Sequence, residues 1–234
     1  MEVDKKLEHR LRKEIIDTTQ ICVDYGLIRS SEGNISVRLT EDRYLVTPSG
    51  IYKRRMKPKH LLIVDQEGNK VKGKRDLPPS SEIQLHLEVY RQRADVNAVF
   101  HAHPPYSTAL TIAGIPFPTD VIPEVIVLLG EVPTAPYATP GTQELALTIR
   151  EPIKHHNAVL MQNHGSVTVG RTLEEALIAL ESMEHAAHLY YLAKSLGRVM
   201  PLSEENLKRL RETWYSRNIE QLVDQVIESL QSKR

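Results

Sequence analysis

Three histidines and one glutamate carry the chemistry this sequence could do. His101 and His103 are separated by one residue. In an extended strand, positions i and i+2 point to the same face. Two imidazoles side by side repel when both are protonated. A metal ion is the usual reason to place them so, because zinc takes imidazole nitrogen at about 2.0–2.1 Å. The plain alternative is a pair of partly exposed histidines at a strand end, and the pair alone does not separate the two. His164 sits in Asn163-His164-Gly165, just after the apolar run Ala158–Met161, where a buried strand delivers a ligand to a cleft. Three protein ligands with a position left for water or substrate is the pattern of a catalytic zinc. Taken alone, His164 reads as a turn histidine.

Glu82 closes the run Pro79-Ser80-Ser81-Glu82. Two hydroxyls and free backbone N–H groups at a helix N-terminus form an anion site. In isolation the run reads as a plain N-cap followed by a first-turn glutamate that favours the helix dipole. Ser31-Glu32-Gly33-Asn34 and Thr47-Pro48-Ser49-Gly50 each set a glycine and small hydrogen-bonding side chains beside a strand. Such loops can cradle phosphate through backbone N–H groups, but each taken alone reads as a hairpin turn. His86 lies one turn after Glu82, where it could orient the glutamate, but it reads first as a packed or exposed histidine. His185 and His188, near Glu181 and Glu184, fit a solvated helix face, and His155 and His156 fit the surface.

These residues need elements to hold them. A helix is predicted from about Asp4 to Tyr25, with Leu7, Leu11, Ile15 and Cys22 near helical spacing and Gly26 after it. Asn34–Leu39 and Tyr44–Thr47 read as one hairpin. Leu61–Asp65 and Lys70–Lys72 read as a second, about the turn Glu67-Gly68-Asn69. Ser80 or Ser81 caps a helix running to about Arg93. Val96–His103 is a strand, and Pro104-Pro105 opens a short helix that Gly114 closes. Pro116–Thr142 reads as loop with one short element. Ala158–Gln162 and Val167–Val169 read as strands. Thr172-Leu173-Glu174-Glu175 is a capping box for a helix to about Leu196. Ser203–Arg234 reads as an amphipathic helical tail. Helices bracketing hairpin-linked strands predict a three-layer α/β/α domain with a central, mainly antiparallel sheet, and no linker divides residues 1–234.

Thirty basic residues balance thirty acidic ones, for a formal net charge of +0. Bulk charge therefore recruits no nucleic acid, and any anion site must be local. The single cysteine, Cys22, cannot form an intrachain disulfide, which predicts a reducing cytoplasm. No run of about 18 apolar residues predicts a membrane span, and Met1–Arg12 is too charged for a signal peptide.

As a set, Gly33-Asn34-Ile35-Ser36, Thr47-Pro48-Ser49-Gly50, Pro79-Ser80-Ser81-Glu82, His101-Ala102-His103-Pro104, Pro136-Tyr137-Ala138-Thr139 and Asn163-His164-Gly165 resemble the class II aldolase/adducin family, over roughly residues 10 to 215. They are most similar to the branch that cleaves L-fuculose 1-phosphate. The resemblance implies one divalent ion per chain, Zn2+ or another such as Mn2+, Co2+ or Fe2+, on His101, His103 and His164. It implies that Glu82 ligates the resting metal and then acts as base. It implies a substrate phosphate among Gly33, Asn34, Ser49, Gly50, Ser80 and Ser81, and a homotetramer with active sites at subunit interfaces. The implied reaction cleaves a small phosphorylated ketose to dihydroxyacetone phosphate and an aldehyde. A pentulose-phosphate 4-epimerase, a sugar-phosphate dehydratase or a decarboxylase would share the metal half, and a non-catalytic adducin-like scaffold would be expected to lack it. The branch's aldehyde-side tyrosine has no counterpart between Pro116 and Pro136, which carries Asp120 and Glu124 instead. Tyr215 is the candidate for a C-terminal catalytic tyrosine.

Overall fold

The computed structural model describes residues 3–215, with side chains described through Thr213. Helix α1 spans Lys5–Asp24, and the Asp4 side chain caps it by accepting from the Lys6 amide. Its buried face carries Leu11, Ile15 and Cys22. The chain then meanders through β1 (Asn34–Thr40), β2 (Arg43–Val46), β3 (Leu62–Val64) and β4 (Lys70–Lys72). Helix α2 (Ile83–Gln92), β5 (Ala98–Ala102), α3 (Pro105–Ile112) and α4 (Pro123–Leu128) follow. Next come β6 (Thr134–Ala135), α5 (Gln143–Thr148), α6 (Arg150–Ile153), β7 (Ala158–Met161) and β8 (Gly165–Gly170), then α7 (Leu173–Leu196) and α8 (Glu204–Tyr215).

The strands form one sheet in the order β4-β3-β2-β1-β5-β8-β7-β6. Every neighbouring pair is antiparallel except β6 with β7, which is parallel. The period-2 alternation of side chains sorts the strands' apolar residues into two cores. Ala98, Phe100 and Ala102 of β5 join Ile35 and Val37 of β1 beneath α1, α3, α4 and α7. Val99 faces the opposite core, with Val167 and Val169 of β8 and the buried residues of α2, α5 and α6. That is the expected α/β/α sandwich, with helices on both faces of a mainly antiparallel sheet.

The structure corrects several boundaries. Helix α2 begins at Ile83 with Glu82 itself in the N-cap position, so neither Ser80 nor Ser81 occupies it. The Ser80 hydroxyl instead accepts from the Glu82 amide one step earlier, at 3.2 Å. The stretch expected to hold one short element holds both α4 and β6. Helices α5 and α6 were not legible at all. The capping box of α7 is present, with the Thr172 hydroxyl accepting from the Glu175 amide at 3.1 Å. The C-terminal helix is seen as α8, and the rest of the predicted tail lies outside the described residues. Among the described residues, no helix is long and apolar enough to cross a membrane.

Candidate active site

The site lies where β1, β5 and the β7–β8 turn meet the start of α2. Asn34 opens β1 directly opposite His101 on β5. His101 points to the α2 side of the sheet, the same side as Val99 two residues earlier, and is fully buried. Its Nδ1 donates to the Ser166 carbonyl across the β5–β8 ladder at 2.9 Å. A carbonyl can only accept, so that bond places a proton on Nδ1 and turns Nε2 toward the site. His103 follows the end of β5. Its Nδ1 lies 3.3 Å from the Glu32 carboxylate, which holds the ring in the same tautomer. The two Nε2 atoms are 3.0 Å apart.

His164 arrives from a tight turn. Met161 pairs with Gly165, so residues 162–164 form a three-residue hairpin loop. Asn163 takes the left-handed conformation there, φ 57°, and its amide donates to the Thr111 hydroxyl at 3.1 Å. Gly165 is required for a different reason: a Cβ there would collide with the Ala102 carbonyl and lie 2.7 Å from His103 Cδ2. The close approach of β8 to the end of β5 is what brings the third imidazole to the other two.

Glu82 completes the cluster. One carboxylate oxygen lies 2.8 Å from His101 Nε2, and the other lies 3.2 Å from His164 Nε2. Glu82, His101, His103 and His164 each offer a ligand atom, and these atoms lie within 4.8 Å of one another. Burial raises the Glu82 carboxyl, but the close contacts and charge of His101 and His164 more than reverse this and hold it below the usual carboxylate range. His103 is pushed down to about 4, first by burial and then by His101 and His164.

Whether these residues suit a metal ion follows from where their protons are. With Nδ1 of His101 and of His103 each occupied by an acceptor, lone pairs at Nε2 converge on the same point as the Glu82 carboxylate. Glu82 Oε1 is buried and makes no hydrogen bond, although His164 Nε2 is its neighbour. Lone pairs this close demand positive charge at their centre, either protons or a divalent cation. The donor set, imidazole nitrogens with one carboxylate, fits a catalytic zinc-type ion.

Beside the cluster is a cavity of about 250 Å³ lined by Gly33, Asn34, Ser49, Ser80 and Ser81, together with Glu32, Glu82, His103 and His164. Five of the six predicted anion-binding residues therefore share one cavity. Gly50 does not line it; it is exposed at φ 72°, and its place is the turn that presents Ser49. The loops are stitched together, since the Ser49 amide donates to the Pro78 carbonyl at 3.1 Å and Pro48 bridges Pro79. Gly33, at φ 68°, lets the first loop pass close to β5, where a Cβ would meet the His101 carbonyl at 3.1 Å as well as Ile28 Cγ1 at 2.8 Å.

His86 is packed, one of the two expectations for it, and its Nε2 donates to Asn34 Oδ1, a partner the sequence does not indicate. Glu32 and Lys53 were also missed as site residues. His188 stacks on Tyr106, with ring centroids 3.9 Å apart, and Glu184 accepts from the Tyr106 and Ser107 amides at 2.8 Å, so these two are packed rather than solvated, while His185 is exposed as expected. Tyr215 ends α8, and its side chain lies outside the described residues. Asp120 uses its carbonyl to accept from the Leu202 amide at 2.8 Å, tying the Pro116–Pro136 stretch to the segment before α8.

Residues 13–191 match the family model of the Class II Aldolase and Adducin N-terminal domain. The chain is 34% identical over 201 residues to 5-deoxy-D-ribulose 1-phosphate aldolase of Bacillus thuringiensis serovar kurstaki, covering 85% of this chain and 92% of that one. It is 36% identical over 202 residues to L-fuculose phosphate aldolase of Escherichia coli O6:H1, covering 85% of this chain and 91% of the relative. A solved structure of an L-fuculose 1-phosphate aldolase superposes with a TM-score of 0.78 at 33% identity, over 87% of this chain and 95% of that one. With the family match running through most of its length and aldolases as relatives, this chain belongs to the class II aldolase and adducin family and is an enzyme of its lyase branch, the aldolases.

Proposed function

We propose that the protein is a divalent-metal-dependent aldolase that cleaves a small ketose 1-phosphate, of the L-fuculose or 5-deoxyribulose 1-phosphate kind, to dihydroxyacetone phosphate and an aldehyde. The observation that carries this reading is the convergence of His101, His103, His164 and Glu82 beside a cavity lined by small hydrogen-bonding residues. His101, His103 and His164 would hold the ion, one per chain. Zn2+ best suits three imidazoles, with Mn2+, Co2+ or Fe2+ as alternatives. The ion would supply Lewis-acid stabilisation of the negative charge that cleavage leaves on the three-carbon fragment.

The chain's own groups do the rest. Glu82 is the proton carrier. Held beside His101 and His164, and beside an ion they would hold, it is a weak base, and substrate that displaces it from that positive charge raises its basicity where the proton must move. Asn34, Ser49, Ser80, Ser81 and the Gly33 backbone seat the phosphate, which contributes binding energy remote from the breaking bond. Glu32 and the Ser166 carbonyl keep His103 and His101 in the tautomer the site needs. Gly50 contributes through its turn. Tyr215 is proposed as a catalytic group on the aldehyde side, in a homotetramer whose active sites lie at subunit interfaces. The buried, solitary Cys22, its thiol pushed up to about 12 mainly by burial, suits a cytoplasmic protein.

The test is a cleavage screen of ketose 1-phosphates with the purified, metal-loaded protein, reading dihydroxyacetone phosphate with a coupled NADH assay. Release of that product supports the reading. A protein that inverts a pentulose phosphate at C4 without releasing it is an epimerase, and the proposal fails.

A further inference from the structure

Lys53 is a buried cation that the mechanism above leaves unused. It opens a short 3₁₀ turn, Lys53–Arg55, and its side chain is packed into the protein with only 4% of the residue exposed. An ammonium group has three protons to donate. Among the described residues, Lys53 Nζ has one partner, the Ser31 carbonyl at 3.0 Å, and no carboxylate forms an ion pair with it. Leaving a buried charge without a counter-charge is costly, so buried lysines are normally paired. Burial alone pushes its pKa down to about 8, and no neighbouring charge contributes.

The position of this cation gives the missing partner an address. Lys53 lines the same cavity as Gly33, Asn34, Ser49, Ser80 and Ser81. Backbone bonds fix it there: its own amide donates to the Ser30 carbonyl at 2.8 Å, and its Nζ holds the next carbonyl of that loop. The loop residue Ser30 is itself in a left-handed conformation, φ 51°. The hydroxyls and amides of the cavity wall can orient an anion but cannot neutralise it. The carboxylates of Glu32 and Glu82, on the same wall, oppose one. A phosphate dianion entering this cavity meets a single lysine that lacks a counter-ion.

We propose that the Lys53 ammonium is the charge partner of the substrate's phosphate, which makes Lys53 the residue that selects phosphorylated over neutral sugars. The inference rests on the reading of this cavity as the phosphate seat. Lys53 thereby binds substrate through charge and holds the Ser31 carbonyl through one remaining proton.

The experiment uses the metal-loaded enzyme and inorganic phosphate as competitive inhibitor. Lys53→Met is expected to weaken phosphate inhibition and raise KM for the phosphorylated substrate by about 10–100-fold, the range for losing one charge-assisted hydrogen bond. Lys53→Arg should remain within about threefold of wild type, and metal content should be unchanged in both. If Lys53→Met does not fold, Lys53→Gln, which keeps a donor for the Ser31 carbonyl and removes only the charge, carries the same comparison. Wild-type phosphate inhibition in a folded Lys53→Met or Lys53→Gln overturns the proposal. Asn34→Ala, measured in parallel, separates the two levels of the reading. If Asn34→Ala weakens phosphate binding and the lysine variants do not, only the role of Lys53 is wrong. If none of the variants does, the cavity is not the phosphate seat and both readings fall.

Discussion

His86 and Asn34 are joined imidazole to amide, and the bond sets the direction of every proton near it. His86 Nε2 donates to Asn34 Oδ1, which turns the Asn34 amide nitrogen toward Glu82 Oε2 at 3.4 Å. His86 Nδ1 then accepts from Ser36 Oγ at 2.7 Å, and Ser36 Oγ is 2.8 Å from the Tyr90 hydroxyl. Arg38 completes the row, its guanidinium 4.8 Å from the centre of the Tyr90 ring. Glu82 at the N-cap of α2, then His86 and Tyr90 within it, recur every four residues, a rise of about 6 Å per helical step. Asn34, Ser36 and Arg38 recur every two along β1, about 6.8 Å per step. The near match keeps a polar row on the helix in register with one on the strand. Burial pushes His86 down to about 3, so the ring works as a neutral, fixed spacer.

His86→Ala should therefore free the Asn34 amide to turn. We expect KM for the phosphorylated substrate to rise about tenfold and the protein to lose about 1–3 kcal/mol, the cost of unpairing buried polar groups. Urea denaturation and steady-state kinetics read the two effects. A stability loss with unchanged KM would make His86 purely structural.

Metal content tests the imidazole cluster. The wild-type protein should hold one divalent ion per chain by inductively coupled plasma spectrometry, removable by chelators with loss of activity. His101→Ala should lose the ion and the activity while keeping its circular dichroism spectrum. Stoichiometric metal and full rate in this variant would reject the ligand assignment.

Glu82→Gln isolates proton transfer. It should retain the metal and bind dihydroxyacetone phosphate, yet lose about 10²–10⁴-fold in kcat, the usual contribution of a positioned proton-transfer group. It should also lose exchange of the C3 proton of dihydroxyacetone phosphate with solvent, followed by NMR in deuterium oxide. Exchange at the wild-type rate would reduce Glu82 to an N-cap residue.

Glu8 gives the acid limb of stability. Its buried carboxylate accepts from Arg12 at 2.8 Å and from Lys72 at 2.8 Å, tying α1 to β4. Burial raises its pKa, and these two partners together bring it below the ordinary value. A carboxyl depressed in the folded state stabilises the fold above its unfolded pKa, about 4.3, and that contribution is lost as pH falls through the folded value. The melting temperature should drop below about pH 4, and Glu8→Gln should flatten that drop while lowering stability near pH 7.

Much of the site could be read from the chain because its residues lie in local motifs. His101-Ala102-His103 needs only the alternation of a strand, and the Ser80-Ser81-Glu82 run needs only a helix start. The partners that fix these groups could not be read this way. Glu32 meets His103 across 71 positions of sequence and His86 meets Asn34 across 52. Such contacts are decided by sheet order, which local spacing does not encode. Lys53 resembles any lysine in a basic run, Lys53-Arg54-Arg55, until the fold buries it. Helices α5 and α6 span only six and four residues, too short to show a helical period.

The sheet order has a consequence for how the chain is made. β5 lies between β1, already synthesised, and β8, which follows some sixty residues later. During synthesis on the ribosome, β5 can pair along one edge, with β1, while its other edge stays bare until Gly165–Gly170 emerges. That bare edge, a row of unpaired backbone N–H and C=O groups, is a template for wrong pairing. Because His164 arrives just ahead of the strand that closes it, the three imidazoles come together only as this edge is sealed.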